Sequence, residues 1–187
     1  MKIIEFSGIS KSGKSALVKR LARFLSERKR VVIANEGFRH CPFKNRDSTY
    51  HQQVWTVFSM INNLLKLLSS DSPPDYIIMD RGLWDVRIFI EYFNKEGKIT
   101  TKEYKYLCYV IGPYLDYVDK LVWIITPPEV SIGRQHEEGI NPRFSVSELE
   151  KISNITRKVL GKRERIELNG AKSLDELQSL LEREFDE

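Results

Sequence analysis

Eight consecutive residues, Gly8-Ile9-Ser10-Lys11-Ser12-Gly13-Lys14-Ser15, carry the spacing G-x-x-x-x-G-K-[ST] between an apolar run (Ile3, Ile4, Phe6) and an amphipathic stretch. A loop that leaves a buried strand and enters a helix N-terminus aims successive backbone N–H groups at one point, where the helix dipole also favours negative charge. That arrangement predicts a phosphate site. Gly8 and Gly13 let the backbone turn and approach closely, Lys14 would reach the outer phosphates of a nucleoside triphosphate, and the Ser15 hydroxyl would ligate the accompanying Mg²⁺. Lys11, Ser12 and Ala16 complete the expected nucleotide-binding set, with ATP and Mg²⁺ as the expected cofactors. A chance Gly/Ser-rich turn is the competing reading, and the helical pattern Leu17, Val18, Leu21, Ala22, Phe24, Leu25 behind the loop argues against it.

Other candidates stand at the ends of short apolar runs. Asp80 closes Tyr76-Ile77-Ile78-Met79, where a carboxylate would hold Mg²⁺ opposite the loop serine; the alternative is an N-cap for the next helix. Arg81 follows at once, and a guanidinium there would clamp phosphate bidentately. Glu36 ends the run Val31-Val32-Ile33-Ala34 with Asn35 and is a candidate base for an attacking hydroxyl, or else a solvated turn glutamate. Arg134 and Arg143 flank a polar stretch with Gly139 and Pro142, which reads as a lid over about residues 134–146 whose cations would cover a transferring phosphoryl group. Arg134 could equally be a surface cation on its helix. His136 reads as solvated, and His40 and Cys41 have no companions that would make a metal site. Trp55, Ser59 and Asn62 share a helix face that could stack on a base, although helix surfaces are polar in any case.

These residues need a scaffold, and the pattern supplies one. Short apolar runs at Ile3–Phe6, 31–34, 76–79, 121–125 and 166–168 read as strands, with helical stretches between them. The long helix carries Val54, Val57, Phe58, Ile61, Leu64, Leu65 and Leu68 at helical spacing and stops at Ser72-Pro73-Pro74. Two further helices are separated by Gly97, the second presenting Tyr104, Leu107, Cys108, Ile111 and Leu115 on one face. After Thr126-Pro127-Pro128 come a helix to about His136, the polar loop, a helix from about Val146 to Val159, the fifth strand and a last helix. Strands alternating with helices imply an α/β fold: a five-stranded parallel sheet with helices on both faces. In such sheets ligands bind beyond the carboxyl ends of the strands, so the phosphate loop, Glu36, Asp80, Arg81, Asn169 and Gly170 should converge on one edge.

Composition limits the alternatives. At 187 residues, with 41% hydrophobic and 30% charged, the chain suits a single globular domain spanning 1–187. No apolar run approaches the roughly 20 residues of a membrane span. The first strand starts at once and leaves no room for a signal peptide, so a cytoplasmic location is expected. Cys41 and Cys108 lie far apart and suggest neither a disulfide framework nor zinc. A net charge of +4 shows no polynucleotide track, and Arg28-Lys29-Arg30 reads as a solvated helix C-terminus.

With the phosphate loop, Asn35-Glu36-Gly37, Asp80-Arg81-Gly82, the stretch from Pro128 to Arg134 and the polar lid in this order, the chain resembles the thymidylate kinase and deoxynucleoside kinase group of P-loop kinases over nearly its whole length. The resemblance implies ATP at the loop and the acceptor, a nucleoside or nucleoside monophosphate, between the second and third helices. It also implies roles: Glu36 as base, Arg81 as phosphate contact, Arg134 and Arg143 as lid arginines, Asn169 and Gly170 near adenine. A homodimer is compatible with it. Ser10 stands where thymidylate kinases often carry an acid, Lys11 where some place an arginine, and Gly37 where proline is common; these departures bear on the acceptor more than on the reaction. The other readings are a polynucleotide 5′-hydroxyl kinase, a small-metabolite kinase, and a non-enzymatic P-loop module that changes shape with ATP.

Overall fold

The computed structural model describes residues 1–35, 37–43 and 49–186. Five strands, β1 (Lys2–Ser7), β2 (Val31–Asn35), β3 (Tyr76–Asp80), β4 (Lys120–Ile125) and β5 (Arg165–Asn169), form one sheet in the order β2-β3-β1-β4-β5. Every pairing is parallel, and the register sets Phe6 beside Asp80 and Asn35 beside Asp80. Among the described residues seven α-helices alternate with the strands: α1 (Lys14–Ser26), α2 (Thr49–Leu68), α3 (Leu83–Lys95), α4 (Thr101–Leu115), α5 (Pro128–Glu137), α6 (Val146–Leu160) and α7 (Leu174–Phe185). The expected doubly covered parallel sheet is the observed one.

Side chains alternate across each strand and so build two cores. Ile4, Phe6, Ile78, Val122, Ile124 and Leu168 face α1 and α7 and pack on Leu17, Leu21, Leu177 and Leu181. Ile3, Ile77, Met79, Leu121 and Trp123 face the opposite layer, where α2, α3, α4 and α6 contribute Val57, Leu64, Ile90, Tyr92, Leu107 and Ile152. Phe58 and Leu65 of the expected α2 stripe are instead exposed, because that stripe is wider than the face the core covers.

Helix starts divide into two kinds. Capping boxes Thr100/Glu103, Ser145/Glu148 and Ser173/Glu176 close α4, α6 and α7. The helices that follow β1, β3 and β4, namely α1, α3 and α5, begin on Gly13, Gly82 and Pro127 and carry no side-chain cap of their own. Among the described residues no helix is long and apolar enough to cross a membrane.

Candidate active site

The loop from β1 to α1 wraps a cavity of about 610 Å³ walled by Ser10–Ala16, Asp80, Arg81, Arg134, Gly170 and the start of α7. Gly8 cannot be replaced cheaply: its φ is +148°, and a Cβ there would lie 2.7 Å from the carbonyl oxygen of Ile124. The Lys14 ammonium is buried and donates to the carbonyls of Gly8 (2.6 Å) and Ile9 (2.6 Å) and to Ser12 Oγ (3.1 Å). Those contacts hold the cation at the centre of the loop, at the floor of the cavity. Ser15 Oγ donates to Asp80 Oδ2 at 2.5 Å. A hydroxyl and a carboxylate so placed are hard oxygen donors of the kind Mg²⁺ selects, so this pair fits the expected ion.

α5 is docked against the loop. Ser131 Oγ donates to the Ser10 carbonyl at 2.6 Å, and Arg134 bridges the carbonyls of Lys11 (3.2 Å) and Gly170 (3.0 Å). Arg134 therefore stands in the wall of the phosphate cavity, tying the loop to the turn after β5. Lys11, at φ 51°, pairs with Glu138 at the cavity rim.

A second, smaller cavity of about 190 Å³ opens beside the first. Its walls are aromatic and polar: Phe38, Phe89 and Phe144, with Gln53 and Thr56 from α2 and Asp85 from α3. Arg143 lies here, its guanidinium 5.0 Å from the Phe38 ring centre and 5.6 Å from that of Phe144. Arg81 pairs with the buried Asp85 and packs 5.5 Å from the Phe89 ring centre. Ser10 and Arg81 line both cavities.

The structure thus brings together Gly8, Lys11, Ser12, Gly13, Lys14, Ser15, Ala16, Asp80, Arg81, Arg134 and Gly170, while Arg143 serves the neighbouring cavity. Asn169 is not brought to the phosphate cavity. Its carboxamide oxygen accepts from the Ala171 N–H at 3.0 Å, and the residue lines a separate depression with Thr126 and Arg157. Glu36 lies outside the described residues. Trp55 and Asn62 are exposed, and α2 presents Gln53 and Thr56 to the second cavity in their place. Two polar residues three apart on the core-facing side of a helix were the available signal for Gln53 and Thr56. Asp85, four residues after Arg81, was the corresponding signal on α3.

No protein-family model matches the sequence, and no curated protein does. Solved structures do match. Deoxyadenosine kinase from M. mycoides with bound dCTP superposes at a TM-score of 0.79 with 14% identity, covering 98% of each chain. The same enzyme with bound dATP gives 0.77 at 14% identity, covering 99% of this chain and 100% of the other. The chain shares their P-loop nucleoside kinase fold. With products dCMP and dCDP bound, that enzyme gives 0.76 at 13% identity over 98% of each chain.

Proposed function

We propose that this protein is an ATP-dependent kinase that phosphorylates a hydroxyl of a deoxynucleoside. The observation that carries the reading is the junction of the two cavities. A loop built for a triphosphate and a flat-walled aromatic pocket meet at Ser10 and Arg81, so groups held in each would face one another across that guanidinium. Phe38, Phe89 and Phe144 offer faces to a planar base, and the Gln53 carboxamide offers one donor side and one acceptor side. The likeness to deoxyadenosine kinases that hold dATP, dCTP and dCMP supports the same class of acceptor.

The smaller cavity carries Arg81 and Arg143 against Asp85, and the pairing of Arg81 with that buried carboxylate supports a nucleoside over a monophosphate. In transfer, the nucleoside hydroxyl attacks the γ-phosphorus, the bond to the β,γ-bridging oxygen breaks, and ADP leaves in line. Glu36 is the proposed acceptor of the hydroxyl proton. Lys14 and the loop amides hold the β- and γ-phosphates, Arg134 braces the loop, and Arg81 faces the transferring group. Mg²⁺, held by Ser15 and Asp80, would supply further neutralisation of the phosphate oxygens.

The test is a transfer assay with ATP and Mg²⁺ against deoxynucleosides, nucleoside monophosphates and 5′-hydroxyl oligonucleotides in parallel. Deoxynucleosides are expected to be phosphorylated. Transfer confined to monophosphates or to oligonucleotides would overturn the assignment, as would ATP binding with no transfer to any of the three.

A further inference from the structure

We propose that Glu5, a carboxyl group enclosed in the sheet, is a positioning residue that sets the first turn of α3 and thereby the acceptor-side pair Arg81 and Asp85. The inference rests on the reading of the smaller cavity as the nucleoside site.

The N-terminus of an α-helix leaves its first N–H groups without intrahelical partners, and buried ones must be satisfied from elsewhere. At α3 the N-cap is Gly82, which has no side chain to offer. Ile3, Glu5 and Ser7 alternate onto the sheet face beneath this helix, and Glu5 is completely buried there. Its Oε1 accepts from the Asp85 N–H at 2.8 Å and its Oε2 from the Trp84 N–H at 3.1 Å. The cap of α3 is therefore supplied from the middle of β1, 79 residues away from Trp84 in sequence. The fit is close enough to dictate the glycine: a Cβ on Gly82 would fall 2.3 Å from Glu5 Oε2.

From that contact the geometry runs directly to the site. Asp85 is the residue whose own N–H rests on Glu5, and its carboxylate accepts from Ser7 Oγ at 2.8 Å and pairs with Arg81. Arg81 sits in the left-handed region at φ 64°, a conformation its side chain disfavours, with its N–H bonded to the Phe6 carbonyl at 3.2 Å. β1 thus grips this turn at Glu5, Phe6 and Ser7 in succession. Val86 and Phe89, further along α3, line the nucleoside cavity but not the phosphate cavity. A shift of α3 relative to β1 should consequently disturb the acceptor more than the donor, which it reaches through Arg81.

Two substitutions approach the contact from opposite sides. Glu5→Gln keeps the shape but leaves only one acceptor oxygen for two N–H groups, and Gly82→Ala pushes the helix start away from the carboxyl. Each is expected to lower kcat/KM for the deoxynucleoside by roughly tenfold to hundredfold, since small misplacements of binding groups cost that much. ATP affinity, measured separately by titration, should fall by much less than the acceptor kcat/KM. Glu5→Leu, with no acceptor at all, should fall below Glu5→Gln, and the Glu5→Gln, Gly82→Ala double variant should lose less than the two single losses multiplied. In the wild-type protein, the Trp84 and Asp85 amides should be protected from hydrogen exchange, a readout that stands if a variant does not fold. Wild-type turnover with acceptor kinetics unchanged in the variants, equal losses for ATP and acceptor, or unprotected amides at Trp84 and Asp85 would each overturn this inference alone. No phosphorylation of any deoxynucleoside by the wild-type protein would overturn the proposed function, and this inference with it.

Discussion

Glu5→Gln should change how stability depends on pH, and the size of the change can be worked out from the burial of one group. Enclosure in the sheet pushes the Glu5 carboxyl up from its ordinary 4.5 to about 8, with the Asp85 charge adding to the rise and the N–H groups of Asp85, Trp84 and Gly82 opposing it. The folded protein therefore keeps this proton to a higher pH than the unfolded chain does. Unfolding releases it anywhere between those two values, so the contribution is fully present below about 4.5 and is lost as pH rises through about 8. The gap between 4.5 and about 8, at about 1.4 kcal/mol per pH unit, amounts to about 5 kcal/mol in all. Glutamine has no proton to lose. Urea unfolding of both proteins from pH 5 to pH 9 should show the wild type losing about 4 kcal/mol relative to the variant, all other titrations being common to both. The variant carries a constant offset for the missing acceptor, which shifts its curve without altering its slope. Two curves that run parallel across this range would refute the reasoning, because they would mean that Glu5 is ionised, or in contact with water, in the folded state.

Lys14→Ala should abolish phosphoryl transfer while the ligand-free protein still unfolds in one cooperative thermal transition, since the bonds of the ammonium to the Gly8 and Ile9 carbonyls and to Ser12 lie within the phosphate loop; near-normal turnover would rule out the loop as the donor site. Gly8→Ala should destabilise the fold by about 1–3 kcal/mol in thermal or urea unfolding, because its Cβ would press on the Ile124 carbonyl from a backbone conformation that alanine resists. Gln53→Leu should raise KM for the preferred deoxynucleoside by at least roughly tenfold and narrow the preference among bases, since a site that hydrogen-bonds its substrate discriminates through those bonds.

What was legible in the sequence follows how local each feature is. The phosphate loop is contiguous, and its glycines, lysine and serine act through backbone geometry that eight residues can set on their own. Asp80 and Arg81 were legible because they are covalently attached to the end of an apolar strand, and a parallel sheet puts every strand end on the same side. The acceptor cavity obeys no such rule. Phe38 follows β2, Gln53 belongs to α2, Phe89 to α3, and Arg143 and Phe144 precede α6, so only the packing of four separate segments brings them to one place. Arg143 was expected beside Arg134 because the two flank one polar loop. Aromatic rings at Phe38 and Phe144 draw its guanidinium to the other cavity instead.

Glu5 shows why the rest stayed hidden. In the run Lys2-Ile3-Ile4-Glu5-Phe6-Ser7 it is one polar residue in a strand expected to be covered on both faces, and the sequence does not say what meets it. Here both faces of the strand are covered, so a carboxyl at that position must be buried whatever its side. A buried carboxyl persists only where hydrogen bonds meet it. Its partners are two backbone N–H groups of a helix that begins on glycine, and backbone groups leave no mark in a sequence. The one trace is Gly82 itself, whose missing side chain is the space that Glu5 fills, and its meaning appears only when β1 and α3 are seen in contact.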